Sequence, residues 1–187
     1  MTKYLSCADT AKLIRKQLKE LYPGVKFSVR SSVYAGGASI QVKWTDGPNY
    51  TEVNDLLKYY EGKRFDGMID YGFYVKHWMT PDGCVHMAKS EGSACTGGVY
   101  HGYDHDKPHP DAELVSMGAD YVFAEREVSL HHKVKAADKI LAEWKNDCNE
   151  EINQDNYYDL SSVTRVGGDH GPWLNQAVHQ ELVNKNL

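Results

Sequence analysis

Three histidines fall four residues apart in the stretch GGVYHGYDHDKPHPDAE, at His101, His105 and His109. Asp104 and Asp106 lie among them, and Cys84, His86 and Cys95 lie shortly upstream. On a helix this spacing would put three imidazoles on one face, an arrangement that can hold a metal ion. Gly102, Pro108 and Pro110 oppose that helix, because proline removes an amide donor and clashes with the preceding turn. The glutamate of an HExxH motif is also missing. A looser set remains: Cys84, His86, Cys95 and His101 would offer zinc two thiolates and two imidazoles. On an extended segment Cys84 and His86 point to the same side, although the overall spacing is not that of a standard finger or ribbon. The alternative is a polar loop that faces a partner through Tyr100, Tyr103, His105 and His109, with the cysteines as small buried residues.

Other chemistries have less to build on. Cys95 sits near glycines and histidines, but a lone cysteine is usually inert. Asp66 and Asp70 lie four apart and share a face on an extended chain, yet Asp-Gly turns account for Asp66 and Asp82 without catalysis. GGVYHG lacks the lysine and hydroxyl residue of a phosphate-binding loop. No catalytic residues are therefore assigned. A basic set is more coherent. Lys12, Arg15, Lys16 and Lys19 share one side of the first helix, and Arg30 with Lys26 faces outward from the strand that follows. Such a set could track a phosphate backbone, or it could be the ordinary solvated side of an amphipathic helix.

The elements that carry these residues follow from periodicity. SCADTAKLIRKQLKELYPG predicts a helix capped by Ser6, with Ala11, Ile14, Leu18 and Leu21 buried and a stop at Tyr22-Pro23-Gly24. Residues 25–31 and 39–45 alternate as strands around Gly36-Gly37 and predict an antiparallel hairpin, with Ile40, Val42 and Trp44 inward. A second helix follows over 50–62, with Val53, Leu56, Leu57 and Tyr60 apolar. One strand over 64–78, a turn at 80–83, a short return at 84–88 and an irregular loop at 89–117 come next. A strand over 118–127 should bury Ala119, Tyr121 and Phe123. A helix beginning at Ser129 should bury Leu130, Val134, Ala137, Leu141 and Trp144. Residues 149–171 read as polar connector, and a last helix starts at Pro172 with Leu174, Ala177, Val178 and Leu182 inward. The fold class is α+β: a small antiparallel sheet with helices packed on one face, a helix–strand–strand–helix start, an irregular insertion loop and C-terminal helices. The expected organisation is one domain over 1–145 with an insertion at about 76–117, followed by an acidic connector and helix at 146–187 packing on the same domain.

Bulk properties set outer bounds. Of 187 residues, 41% are hydrophobic and 25% charged, as in ordinary globular proteins. Tyrosine is used 13 times against 4 Phe and 4 Trp, which suits half-buried surfaces and partner contacts. The start of the chain has no apolar leader, and no run is long enough to span a membrane. Four scattered cysteines without a CxxC pair fit reduced thiols in a cytoplasm. The net charge of −5 belongs wholly to residues 147–187, whereas residues 1–30 are basic.

The segments TAKLIRKQLKELYPGVKFSVRSSVYAGGASIQVKWTDGP, YYEGKRFDGMIDY and MGADYVFAEREVS together resemble the large polyvalent protein-associated domain of type 29, from about Thr10 to about Leu141. The resemblance rests on Pro23-Gly24, the KFSVRS strand, Gly36-Gly37, Trp44 to Pro48, Phe65-Asp66-Gly67 and Gly118 to Phe123. It implies an accessory domain of phages and conjugative elements, without established catalytic residues. The function it implies is non-enzymatic contact with a bacterial or element-encoded protein, helping to counter a host defence. A nucleic-acid-binding domain using the first helix is the alternative, and a zinc module or metal-dependent enzyme on residues 84–109 the second. No cofactor is expected on the first two readings.

Overall fold

The computed structural model describes residues 2–67, 70–88, 107–144, 151–167 and 171–187. The chain has the expected α+β composition, divided into two compact units: residues 1–43 with 53–125, and residues 44–52 with 126–187. The division runs through the ends of two strands.

In the first unit, β1 (Lys3–Tyr4) leads into α1 (Cys7–Leu21). Ser6 caps α1, its Oγ accepting the Asp9 amide at 3.1 Å. The expected stripe of Ala11, Ile14 and Leu18 is fully buried, joined by Cys7 and Thr10, whereas Leu21 at the helix end is exposed. Each fully buried Ile or Leu contributes roughly 1.5–3 kcal/mol relative to exposure. β2 (Ser28–Tyr34) and β3 (Gly37–Thr45) form the antiparallel hairpin, closed by two residues, with Gly36 at φ +91°. The strands are longer and the turn tighter than the sequence suggests, because only glycine adopts that φ without cost. Ile40, Val42 and Trp44 are inward, as alternation requires. α2 (Tyr50–Leu57) continues as a 3-10 turn to Tyr60, burying Val53, Leu57 and Tyr60.

The single strand expected over 64–78 is instead three. β4 (Lys63–Asp66) turns back into β5 (Tyr71–Tyr74), and β6 (His77–Met79) then enters another sheet. The reversal includes Asp70 at φ +50°, a conformation Asp tolerates and which period-2 alternation does not register. β7 (Val85–Met87) returns against β6 as expected. The irregular stretch ends sooner than expected, at β8 (Glu113–Ser116), which pairs antiparallel with β6 and parallel with β1. The sheet order is β1-β8-β6-β7; β4 and β5 form a separate two-stranded ribbon. β9 (Tyr121–Glu127) pairs with β3. Its inward residue is Val122, while Phe123 is 57% exposed, the reverse of the expected face. Before β9, Gly118 packs against main chain: a Cβ there would lie 2.3 Å from the Leu5 carbonyl oxygen and 2.6 Å from the Cys7 nitrogen.

The second unit is built on α3 (Leu130–Trp144), α4 (Tyr157–Val163) and α5 (Leu174–Val183). Its core joins Ala136, Ala137 and Ile140 of α3 to Ile152, Tyr157, Val166, Leu174, Val178 and Leu182. Ala137 is fully buried as expected and Leu130, Val134 and Leu141 pack partly buried against the same core, Ala136 and Ile140 widen the stripe, and Trp144 is exposed. α4 interrupts what reads as connector. The C-terminal residue is fastened by reciprocal main-chain bonds between Gly47 and Leu187, of 3.0 and 2.8 Å. Among the described residues no helix is long and apolar enough to cross a membrane.

Candidate functional sites

The basic face of α1 is present but largely engaged. Lys12 Nζ lies 2.8 Å from Asp9 Oδ1, and this contact, with the Ser6 hydroxyl, holds the Asp9 carboxyl below its ordinary range. Arg15 Nη2 donates to the Val29 carbonyl at 2.6 Å, bracing β2 against the helix. Lys16 donates to the Asp82 carbonyl at 2.9 Å and lies 3.9 Å from Glu20. Lys19 and Arg30 are exposed. The set therefore stays on one surface, but Lys12, Arg15 and Lys16 would each exchange a present partner for a phosphate.

Of the zinc set, Cys95 and His101 lie outside the described residues, as do Tyr100, Tyr103 and His105 of the loop. Cys84 follows the 80–83 turn, where Gly83 at φ +91° donates to Thr80 at 2.8 Å. The Asp82 carboxylate accepts from the Thr80 hydroxyl and, at 3.2 Å, from Cys84 Sγ. Those bonds lower Asp82 to about 2, and the same carboxylate raises Cys84, so the thiol stays protonated and is a poor nucleophile. His86, in β7, is half-buried. His109 Nδ1 accepts the Asp111 amide at 3.1 Å. Among the described residues no three His, Cys, Asp or Glu side chains form a metal-holding group.

A buried polar cluster escaped the sequence reading. His77, the first residue of β6, is 0% exposed, and it pairs with Met87 on one side and Val115 on the other. Neither ring nitrogen has a hydrogen-bond partner among the described residues. Burial, with the nearby Arg64 charge, lowers its pKa to about 4, so the ring is neutral near pH 7. Arg64 donates to the Lys58 carbonyl at 2.8 Å, and its Nη1 lies 3.3 Å from Glu61 Oε2. Glu61 Oε1 accepts the Val122 amide at 3.1 Å. Burial raises the Glu61 pKa, outweighing both that bond and the Arg64 charge. The signal is in the sequence: Phe73, Val75 and His77 continue one inward alternation.

The β4–β5 ribbon exposes aromatic rings. Its register places Lys63 opposite Tyr74 and Phe65 opposite Gly72 on one face. Phe65 is 59% and Tyr74 72% exposed, and Lys63 Nζ lies 5.8 Å from the centre of the Tyr74 ring. Tyr71 and Phe73 stack on the other face, 6.1 Å apart. A two-stranded ribbon cannot bury both faces by itself. In the second unit, a cavity of about 530 Å³ opens among α3, α4 and α5.

The model of the large polyvalent protein associated domain 29 family matches residues 5–129, well over half of the chain, and the chain belongs to that family. Membership makes it a protein associated with phages and other mobile elements. The match stops at Ser129, so α3, α4 and α5 lie outside it. No curated protein and no solved structure matches the chain.

Proposed function

We propose that this chain is an accessory protein of a phage or mobile element that acts in the bacterial cytoplasm by binding a host or element-encoded protein, and so weakens a host defence. The observation that carries the reading is the β4–β5 ribbon, which lies within the family-matched residues and presents Phe65 and Tyr74 to solvent. Clustered exposed aromatics on a rigid ribbon suit a protein interface, because they bury large area at low entropic cost. The protonated state of Cys84 also favours contact over thiol catalysis. The test is phage plating on bacteria that carry individual defence systems and express the chain. Restored plating against at least one system is expected, and the double variant F65A/Y74A should lose it. Unchanged plating across the panel, or full rescue by the variant, overturns the reading.

A nucleic-acid reading draws on one further observation: Lys63 sits against Tyr74 on the exposed ribbon face, a cation beside a stacking surface. With Lys12, Arg15, Lys16, Lys19 and Arg30 it would bind phosphates, and binding in gel shifts should fall steeply as salt rises. For the zinc module, elemental analysis of the purified chain decides. The Cys84–Asp82 bond favours zinc well below one equivalent, and stoichiometric zinc would reinstate Cys84, His86, Cys95 and His101.

A further inference from the structure

Residues 147–187 carry the whole net charge of −5, yet among the described residues no Asp or Glu lines the α3–α5 cavity. The one carboxylate of α5, Glu181, is held away by Lys139 at 3.0 Å and by Lys185. Val128, Val178, Leu182 and Val183 give the lining an apolar part, and the rest is cationic, polar and aromatic. Arg126 reaches it with a guanidinium held by the carbonyls of Asp46, Gly47 and Leu182, at 3.3, 3.2 and 3.0 Å. Those partners are neutral, and the Asp46 carboxylate is turned to the Ser129 amide at 2.8 Å. Lys133 has no carboxylate within ion-pair distance among the described residues; its Nζ rests 3.4 Å from the Tyr158 hydroxyl and 5.5 Å from that ring's centre. Ser162, Asn175 and His179 add donors around the same space. Tyr158, 62% exposed, and the partly exposed Tyr50 offer ring faces.

We propose that this cavity is a binding site for a nucleotide. A cation without a carboxylate partner, beside hydroxyl and amide donors, suits a phosphate. An adjoining tyrosine face suits a base, since stacking contributes for every base. The volume falls within the roughly 300–1,000 Å³ of small-molecule sites. An apolar ligand would leave the Lys133 charge desolvated and unpaired, and a cation would meet Lys133, which has no carboxylate within ion-pair distance among the described residues. The site does not depend on the ribbon: it lies in the second unit, and of its lining Tyr50, Arg126 and Val128 fall within the family match.

The test is calorimetric titration of the full chain with the four nucleoside 5′-monophosphates, with inorganic phosphate and with adenosine. At least one monophosphate should bind with Kd below about 1 mM, and phosphate alone and nucleoside alone should each bind at least about tenfold more weakly. Lys133→Gln should weaken the monophosphate about tenfold while leaving the unfolding midpoint in place. Tyr158→Leu should weaken it by a similar factor, and Lys135→Gln, on the same helix but outside the cavity lining, should not. Absence of binding by all four nucleotides, equal binding of inorganic phosphate, or wild-type affinity in Lys133→Gln overturns the proposal.

Discussion

The two units handle polar groups in opposite ways. Around β6 the first unit withdraws His77, Glu61 and Arg64 from water and leaves both imidazole nitrogens without partners among the described residues. The second unit keeps Lys133, His179 and Asn175 at an open cavity and buries a mainly apolar seam, with Ser161 its buried polar side chain among the described residues. Desolvation is the difference. In the first unit it sets protonation states and costs stability. In the second, water still satisfies the polar groups, so they remain available to a ligand at little cost to the fold.

That contrast can be broken in order of effect. Leu174→Ala, in the fully buried seam of the second unit, should cost about 2–5 kcal/mol in urea unfolding. A loss below about 1 kcal/mol would mean that the helices are held by something other than that seam. Next comes acid. The folded His77 pKa of about 4 lies below its ordinary 6.5, so the unfolded chain binds more protons between those values. Stability from this group is fully present above about pH 6.5 and is lost as pH falls toward 4, by about 3 kcal/mol in total. Glu61, shifted upward, acts in the opposite sense, its contribution falling as pH rises through the ordinary carboxyl range. Urea midpoints between pH 7 and 4 should therefore fall more steeply in wild type than in His77→Leu. Equal slopes would show that His77 is not buried neutral.

Smaller effects follow. At pH 7, His77→Leu should raise stability by about 1–2 kcal/mol, because an apolar side chain leaves no orphaned nitrogen. A drop of that size would reveal a partner for the ring. Lys133→Gln should move stability by less than about 0.5 kcal/mol, as expected of a solvated cation. A larger loss would place Lys133 with the structural groups of the first unit rather than with a ligand site.

Legibility in sequence followed the same physical line. α1, the hairpin and α5 were readable because their buried residues are aliphatic and recur at a clean period, as Ile14–Leu18 and Ile40–Val42 do. α4 was not, because the residues it buries are Tyr157 and Ser161, whose types announce no apolar face. In β9 both alternations are apolar, Tyr121 and Phe123 against Val122 and Ala124, so pattern alone could not choose the face. The β4–β5 reversal was hidden because alternation ran on through it. The cavity was illegible for a deeper reason. Its lining comes from α2, β9, α3, α4 and α5, and residues so far apart in the chain share no linear window.

Gly118 has a genetic use. Its missing side chain is filled by the main chain around Leu5 to Cys7, which has no flexible end to give way. Gly118→Ala should therefore lower the amount of folded protein without touching the ribbon rings or the cavity lining. In the plating assay such an allele should rescue in the cold and fail when warm. A failure of dosage would then be told apart from a failure of recognition.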